Sequence, residues 1–217
     1  MWNPLRARRE RREAHLLERE AFRAAKRLVR EDVTLFGEQV AALELAPDAT
    51  HDVREHHRFA LEAYDRAKAA LEPADSLAEV EAVEAVLEDG RWERAAVLAL
   101  ASGEPLPERR GPCFFNAQHG PSVAKVQWAP PHGTPRSIDV CRNDQLRLEG
   151  GEEPEARKVR VGDRWLPWYA AEEATSEAAM LRQWAGGSPL GRAARAELST
   201  LIQGVSSISP SDGRPRH

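Results

Sequence analysis

The chain is poor in cysteine, in aromatic side chains and in long apolar runs. It holds two Cys in 217 residues, whereas small secreted domains that rely on disulfides carry many more. No run approaches the roughly 18 apolar residues of a transmembrane helix, and no apolar stretch follows the basic N-terminus as it would in a signal peptide. We therefore expect a reducing, cytoplasmic setting and no integral membrane segment.

The common sequence signatures of catalysis are also missing. The chain has no G-x-S-x-G, no G-x-x-x-x-G-K-[ST] and no G-x-G-x-x-G motif. The histidine-rich segment 51–57 lacks the H-E-x-x-H spacing of metalloproteases, because His51 and His56 are five residues apart and fall on different faces of a helix. These absences favour a non-enzymatic protein and leave an enzyme with an unfamiliar site near His119 and Asp144 as an alternative.

Charge is distributed unevenly along the chain. The net charge is −4 overall, but it is +6 over residues 1–30, −13 over 31–108 and +3 over 109–217. The acidic middle would repel a phosphate backbone, which confines phosphate binding to the two ends. Five candidate phosphate-binding side chains lie at the start of the chain: Arg6, Arg8, Arg9, Arg11 and Arg12. Interleaved glutamates at helical spacing favour a solvated helix end over nucleic-acid binding there.

Apolar residues at three-and-four spacing predict a long first helix and a shorter second one. The first covers residues 5–45, and Gly37 is the place where we expect a break if one occurs. Thr50 is a plausible N-cap for the second helix, which Pro73 ends. The first helix should therefore extend beyond its neighbour.

A third helix is predicted from its start signal. Ser76 and Glu79 have the spacing of a capping box. A break or kink is expected at Asp89-Gly90, before a last helical stretch over residues 92–100. Connections of a few residues predict an antiparallel helical hairpin or a three-helix, coiled-coil-like bundle.

Seven prolines lie between residues 105 and 135, so no long helix is expected in this segment. Short runs at 123–128 and 136–140 predict a β-hairpin, and a short helix is expected at 143–149. A second strand pair is predicted over 158–169, with its turn at Gly162-Asp163.

Together these elements predict an α+β protein that is mostly α. The stretch 165–169, which is rich in tryptophan, would suit a protein partner if it is partly exposed. The predicted organisation has four parts: a helical hairpin or bundle over 1–104, a small Pro- and Trp-rich β-hairpin module over 105–170, C-terminal helices over 171–205, and a disordered tail over 206–217.

One pattern in the module has the order of a zinc-binding treble clef. Cys113 and His119 precede the predicted hairpin, and Cys141 and Asp144 follow it. Zinc accepts thiolate, imidazole and carboxylate, so these four side chains could hold one structural zinc ion. The first pair has five intervening residues rather than two to four, and aspartate is an uncommon fourth ligand. We therefore favour small buried cysteines with His119 bonded to a loop carbonyl, with zinc as the alternative and a disulfide as a third interpretation.

Part of the chain resembles an uncharacterised domain of actinobacterial proteins of unknown function. The resemblance is carried by segment 106–122 (LPERRGPCFFNAQHGPS), by Trp128-Ala-Pro-Pro, by Val140-Cys141 and by GGEEP at 150–154. It covers residues 60–170 and implies that an acidic helical hairpin precedes the Cys-Phe-Phe segment, as one unit with it. In that group a membrane segment, which this sequence lacks, often accompanies the domain. The resemblance implies no activity, ligand or catalytic residue.

The function that these features predict is a scaffold that acts through protein–protein contacts. Its partner would be another protein or a second copy of the chain. A nucleic-acid-binding or ribosome-associated factor that uses the basic first helix is the alternative.

Overall fold

The structure, a computed structural model, describes residues 4–131, 133–161 and 164–173. This part of the chain contains five helices and two antiparallel strand pairs, which confirms the predicted α+β class with mostly helix. The helices are α1 (Pro4–Ala41), α2 (His51–Leu71), α3 (Leu77–Ala101), α4 (Arg142–Glu149) and α5 (Trp168–Glu173). The strands are β1 (Ala124–Trp128), β2 (Arg136–Val140), β3 (Lys158–Val161) and β4 (Arg164–Pro167). The C-terminal helices and the tail predicted between 171 and 217 lie, beyond Glu173, outside the described residues.

Local signals place α2 and α3 where the sequence predicts them. The Thr50 side chain accepts a hydrogen bond from the backbone N–H of Val53, which starts α2. Both bonds of the capping box between Ser76 and Glu79 are present at the start of α3. Because these caps satisfy N–H groups that lack partners inside the helix, each helix begins at a defined residue.

Helix α1 is much longer than the two helices against which it packs. Its 38 residues span about 57 Å at a rise of 1.5 Å per residue, whereas α2 has 21 residues and α3 has 25. Its core side chains begin at Ala21, and every described side chain before Glu20 is exposed. The start of α1 therefore extends beyond its neighbours, as predicted, although the helix ends at Ala41 rather than Leu45.

Two glycines that the sequence marks as helix breakers instead permit close packing. Helix α1 continues through Gly37, and α3 continues through Gly90, so the predicted break at Asp89-Gly90 is wrong. A Cβ atom on Gly37 would lie 2.5 Å from the Tyr64 ring, and one on Gly90 would lie 2.6 Å from Phe36 Cζ. The helix-propensity cost of a glycine, about 1 kcal/mol, is offset here by the tight contact that it allows.

We expect Gly90→Ala to lower the free energy of unfolding by about 1–3 kcal/mol, because the added methyl overlaps packed side chains despite its better helix propensity. The overlapping atoms belong to Phe36 and Ala63. Gly111→Ala is the matched control, since a Cβ there meets no heavy atom within 4 Å. Urea unfolding monitored by circular dichroism measures both variants. An unchanged or higher free energy for Gly90→Ala would contradict the prediction.

The second half of the described chain begins with the predicted hairpin. Strand β1 pairs antiparallel with β2, with Val126 opposite Ile138, and α4 follows directly. Strand β3 pairs antiparallel with β4. The second strand pair is shorter than the predicted 158–169, because α5 begins at Trp168.

Aromatic side chains join this half to the helices. The rings of Phe115, Trp128 and Tyr169 meet edge to face, with centroids 4.9 to 6.2 Å apart. Phe115, Trp168 and Tyr169 belong to the same hydrophobic cluster as the core of α1 to α3. Because Trp168 and Tyr169 are buried, the partner surface predicted at 165–169 is reduced mainly to Trp165, which is 63% exposed.

Candidate metal centre

Four elements bring Cys113, His119, Cys141 and Asp144, here called the four-ligand site, to one place. Cys113 lies in the Pro-rich segment, and His119 ends a short 3₁₀ turn, Ala117–His119. Cys141 follows β2 directly and is the N-cap of α4, and Asp144 lies in the first turn of that helix. The hairpin β1–β2 thus connects the two halves of the site, as the sequence predicts.

One ligand atom from each of these side chains lies within 4.8 Å of the other three. Asp144 Oδ2 is 3.0 Å from His119 Nδ1, 3.2 Å from Cys113 Sγ and 3.5 Å from Cys141 Sγ. His119 Nδ1 is 3.6 Å from Cys141 Sγ. A tetrahedral zinc ion with bonds of about 2.0–2.3 Å requires ligand separations of about 3.3–3.8 Å. The four separations given above, 3.0 to 3.6 Å, lie at or near this range, and the other two are at most 4.8 Å, so the site could hold a metal ion.

The contacts converge on one point rather than forming a proton relay. In a nucleophile–histidine–carboxylate triad, the two imidazole nitrogens contact different partners. Here the same nitrogen, His119 Nδ1, faces both the Asp144 carboxylate and the Cys141 sulfur. That arrangement is typical of ligands around a shared ion and does not fit the activation of a thiol nucleophile.

The site is buried, and backbone groups hold two of its ligands. Cys113 and Asp144 are fully buried, and the His119 side chain is 18% exposed. The backbone N–H of Glu155 donates to Asp144 Oδ1 at 2.8 Å, which leaves Oδ2 for the centre. The backbone N–H of Asp144 faces Cys141 Sγ at 3.5 Å. Such outer contacts orient ligand side chains and are a common feature of protein metal sites.

Burial and mutual hydrogen bonds shift the pKa values of all four side chains of the four-ligand site. Burial opposes the charged imidazole, but hydrogen bonds with Asp144 and Cys113 raise the pKa of His119 to about 9. Burial also opposes ionisation of Asp144, but hydrogen bonds with His119 and the Glu155 backbone lower its pKa. The hydrogen bond between the two cysteine side chains raises the pKa of Cys113 and lowers that of Cys141. These directions keep the His119 imidazole and the Cys113 thiol protonated beside an ionised Asp144 carboxylate, so metal binding would release protons from the site.

The interpretation favoured from the sequence is partly wrong. Both cysteines are buried, as it requires, and both are free thiols, so the alternative disulfide is absent. His119, however, contacts Asp144 rather than a loop carbonyl. Within residues 4–131, 133–161 and 164–173, this is the one group of three or more His, Cys, Asp and Glu side chains that converges in this way.

A second buried polar group lies next to the site and was not predicted. Asp32 on α1 is fully buried, and its Oδ2 accepts a hydrogen bond from Arg91 Nη2 at 3.2 Å. Its Oδ1 accepts from Gln118 Nε2 at 2.7 Å and from Arg157 Nη1 at 2.6 Å. These four residues, here called the Asp32 cluster, connect α1 and α3 to segments that flank the four-ligand site.

The candidate phosphate-binding arginines lie at the start of α1. Arg8, Arg9 and Arg12 are exposed, and the side chains of Arg6 and Arg11 lie outside the described part of the structure. Phosphate binding by these five residues stays a prediction.

The comparisons with known proteins identify no relative. No protein-family model, curated protein or solved structure matches the chain. The resemblance to an actinobacterial domain over residues 60–170 therefore stays a prediction. Among the helices described, none combines the length and the apolar character needed to cross a membrane.

Proposed function

We propose that this protein is a non-enzymatic scaffold whose four-ligand site holds one structural zinc ion. The observation that carries the proposal is the convergence of four different protein ligand atoms within 4.8 Å. A tetrahedral zinc ion would have all its positions filled by protein, with none open for water or substrate. A closed site of this kind contributes to stability and not to hydrolysis, which argues against the alternative of an enzyme near His119 and Asp144.

The ligand types favour zinc over the other abundant divalent cations. Mg²⁺ and Ca²⁺ prefer six or more oxygen ligands, whereas this site offers two sulfur atoms, one nitrogen and one carboxylate oxygen. Zinc accepts all three ligand types in tetrahedral geometry. Two free, buried thiols also favour a reducing compartment, for which we propose the cytoplasm.

The scaffold component of the proposal depends on surfaces that the fold leaves uncovered. The start of α1 is exposed up to Glu20, and Leu16 and Trp165 are among the exposed large apolar side chains. Such a projecting helix offers a contact surface to another protein or to a second copy of the chain. Sedimentation of the zinc-loaded chain, alone and with Leu16→Asp, tests the second of these partners.

The zinc content of the full chain, purified under reducing conditions, tests the site. We expect one zinc ion per chain and, after exchange with cobalt, the intense visible bands of a tetrahedral, thiolate-bound ion. Cys113→Ser should lose most of the zinc because one buried ligand is weakened. His51→Gln, at the exposed start of α2, is the matched control and should keep the metal. Folded wild-type protein that takes up no zinc would contradict the proposal.

A further inference from the structure

We propose that Asp32, although it touches no ligand atom, is a positioning residue for the four-ligand site. Zinc affinity in the second half of the chain would then depend on helix α1. This inference rests on the proposed zinc site and adds the element that holds it in shape.

The first connection runs through Gln118. Its side-chain Nε2 donates to Asp32 Oδ1 at 2.7 Å, and its backbone N–H donates to Asn116 Oδ1 at 3.1 Å. Gln118 and the ligand His119 lie in the same three-residue 3₁₀ turn. Fixing Gln118 to α1 therefore fixes the backbone from which the His119 ring projects.

The second connection runs through Arg157. Its Nη1 donates to Asp32 Oδ1 at 2.6 Å, and its backbone N–H donates to the carbonyl of Phe115 at 3.0 Å. Phe115 lies between the ligands Cys113 and His119 in sequence. Arg157 therefore joins α1 to the loop that carries the first two ligands.

The same segment also reaches the carboxylate ligand. Two residues before Arg157, the backbone N–H of Glu155 donates to Asp144 Oδ1 at 2.8 Å. One carboxylate on α1 thus holds the segments that orient both His119 and Asp144. Because Asp32 is fully buried, water does not compete for these hydrogen bonds.

The zinc dissociation constant, measured by competition with a chromophoric chelator on the full folded chain, tests the inference. Gln118→Met removes one bond to Asp32 while keeping every charge, and Asp32→Asn neutralises the shared acceptor. We expect zinc to bind roughly tenfold more weakly to each variant, as on the loss of an outer contact in other metal sites. Val40→Ala is the control, because it removes core volume from α1. Val40 belongs neither to the four-ligand site nor to the Asp32 cluster, so the zinc affinity of this variant should be unchanged.

The outcomes separate this inference from the proposed function. Zinc binding of unchanged strength in folded Gln118→Met overturns the positioning role and leaves the zinc site standing. A similar loss in Val40→Ala also overturns it, since general loosening would then explain the effect. If Asp32→Asn fails to fold, the comparison of Gln118→Met with Val40→Ala decides. Wild-type protein that binds no zinc overturns both the site and the inference.

Discussion

Removal of zinc should lower the free energy of unfolding by about 4 kcal/mol, the linkage value for free zinc a thousandfold above its dissociation constant. The loss should concentrate in the second half of the chain, because metal binding there is coupled to folding. Near-ultraviolet circular dichroism includes the packing of Trp128 and Trp168 together with that of Trp92 on α3, and the far-ultraviolet signal reports α1 to α3. With a strong chelator present, we expect most of the near-ultraviolet signal to be lost at a lower temperature than the far-ultraviolet signal.

Asp144→Asn separates a metal effect from a packing effect. The substitution should lower the free energy of unfolding by about as much as chelation does. The variant should then show no further response to the chelator. Asp139→Asn, on the neighbouring strand β2, is the matched control, because Asp139 is half-exposed and its ion pair with Lys125 is 3.4 Å long. Such exposed pairs contribute at most about 1 kcal/mol. A wild-type unfolding temperature that does not respond to chelation would contradict the prediction.

Asp32→Leu should lower the free energy of unfolding by about 3–5 kcal/mol, the usual cost of removing one partner from a buried ion pair. The substitution leaves Arg91, which is 4% exposed, and Arg157 without the carboxylate that they share. Burial lowers the pKa of Arg91 and the Asp32 charge opposes this shift. Because an arginine keeps its charge in proteins, the loss of Asp32 leaves a buried guanidinium without its counter-charge. Chemical denaturation of the full chain measures the loss.

A double variant shows whether unpaired charge is the cause. Asp32→Leu combined with Arg91→Met should recover part of the loss, because well-packed apolar side chains often replace a buried pair at little cost. Arg91 Nε also lacks a hydrogen-bond partner among the described residues, so methionine removes an unpaired polar atom. Asp65→Leu, at an exposed position of α2, is the control and should change little. Additive losses in the double variant would contradict this explanation.

Features set by neighbouring residues in sequence are predicted well. The Thr50 cap, the Ser76 capping box and the hairpin depend on contacts within a few residues, and all three are confirmed. The function of Gly90 could not be predicted this way, because its close neighbour Phe36 lies on another helix. A glycine that ends a helix and a glycine that permits close packing look the same in one sequence.

Residue types alone indicate the four-ligand site, but the spacing of its first two ligands argues against it. Five residues separate Cys113 from His119, which exceeds the usual interval. The 3₁₀ turn, capped by Asn116 and ended by Gly120 at a φ of +91°, folds this excess into a compact loop. A short turn of this kind has no periodic sequence pattern. The residue types of the four ligands can therefore be recognised in the sequence, but their convergence on one point cannot be predicted.

The sequence carries one signal for the Asp32 cluster, the position of Asp32 itself. Asp32 lies on the apolar face of α1, three residues after Val29 and four before Phe36. A carboxylate on such a face requires a buried cation, since isolated buried charges are very costly. The sequence cannot identify that cation, because Arg91 and Arg157 are 59 and 125 residues away.

The long sequence separation between Asp32 and Arg157 has a consequence for biosynthesis. The chain is made from its N-terminus, and closing a loop of 125 residues is a late and entropically costly event. The caps of α2 and α3 and the contact of Asp32 with Arg91 can form while the ribosome is still synthesising the second half. The hydrogen bond from Arg157 to Asp32 can form only after Arg157 has left the ribosome. Assembly of the four-ligand site is therefore a late step in the maturation of the chain.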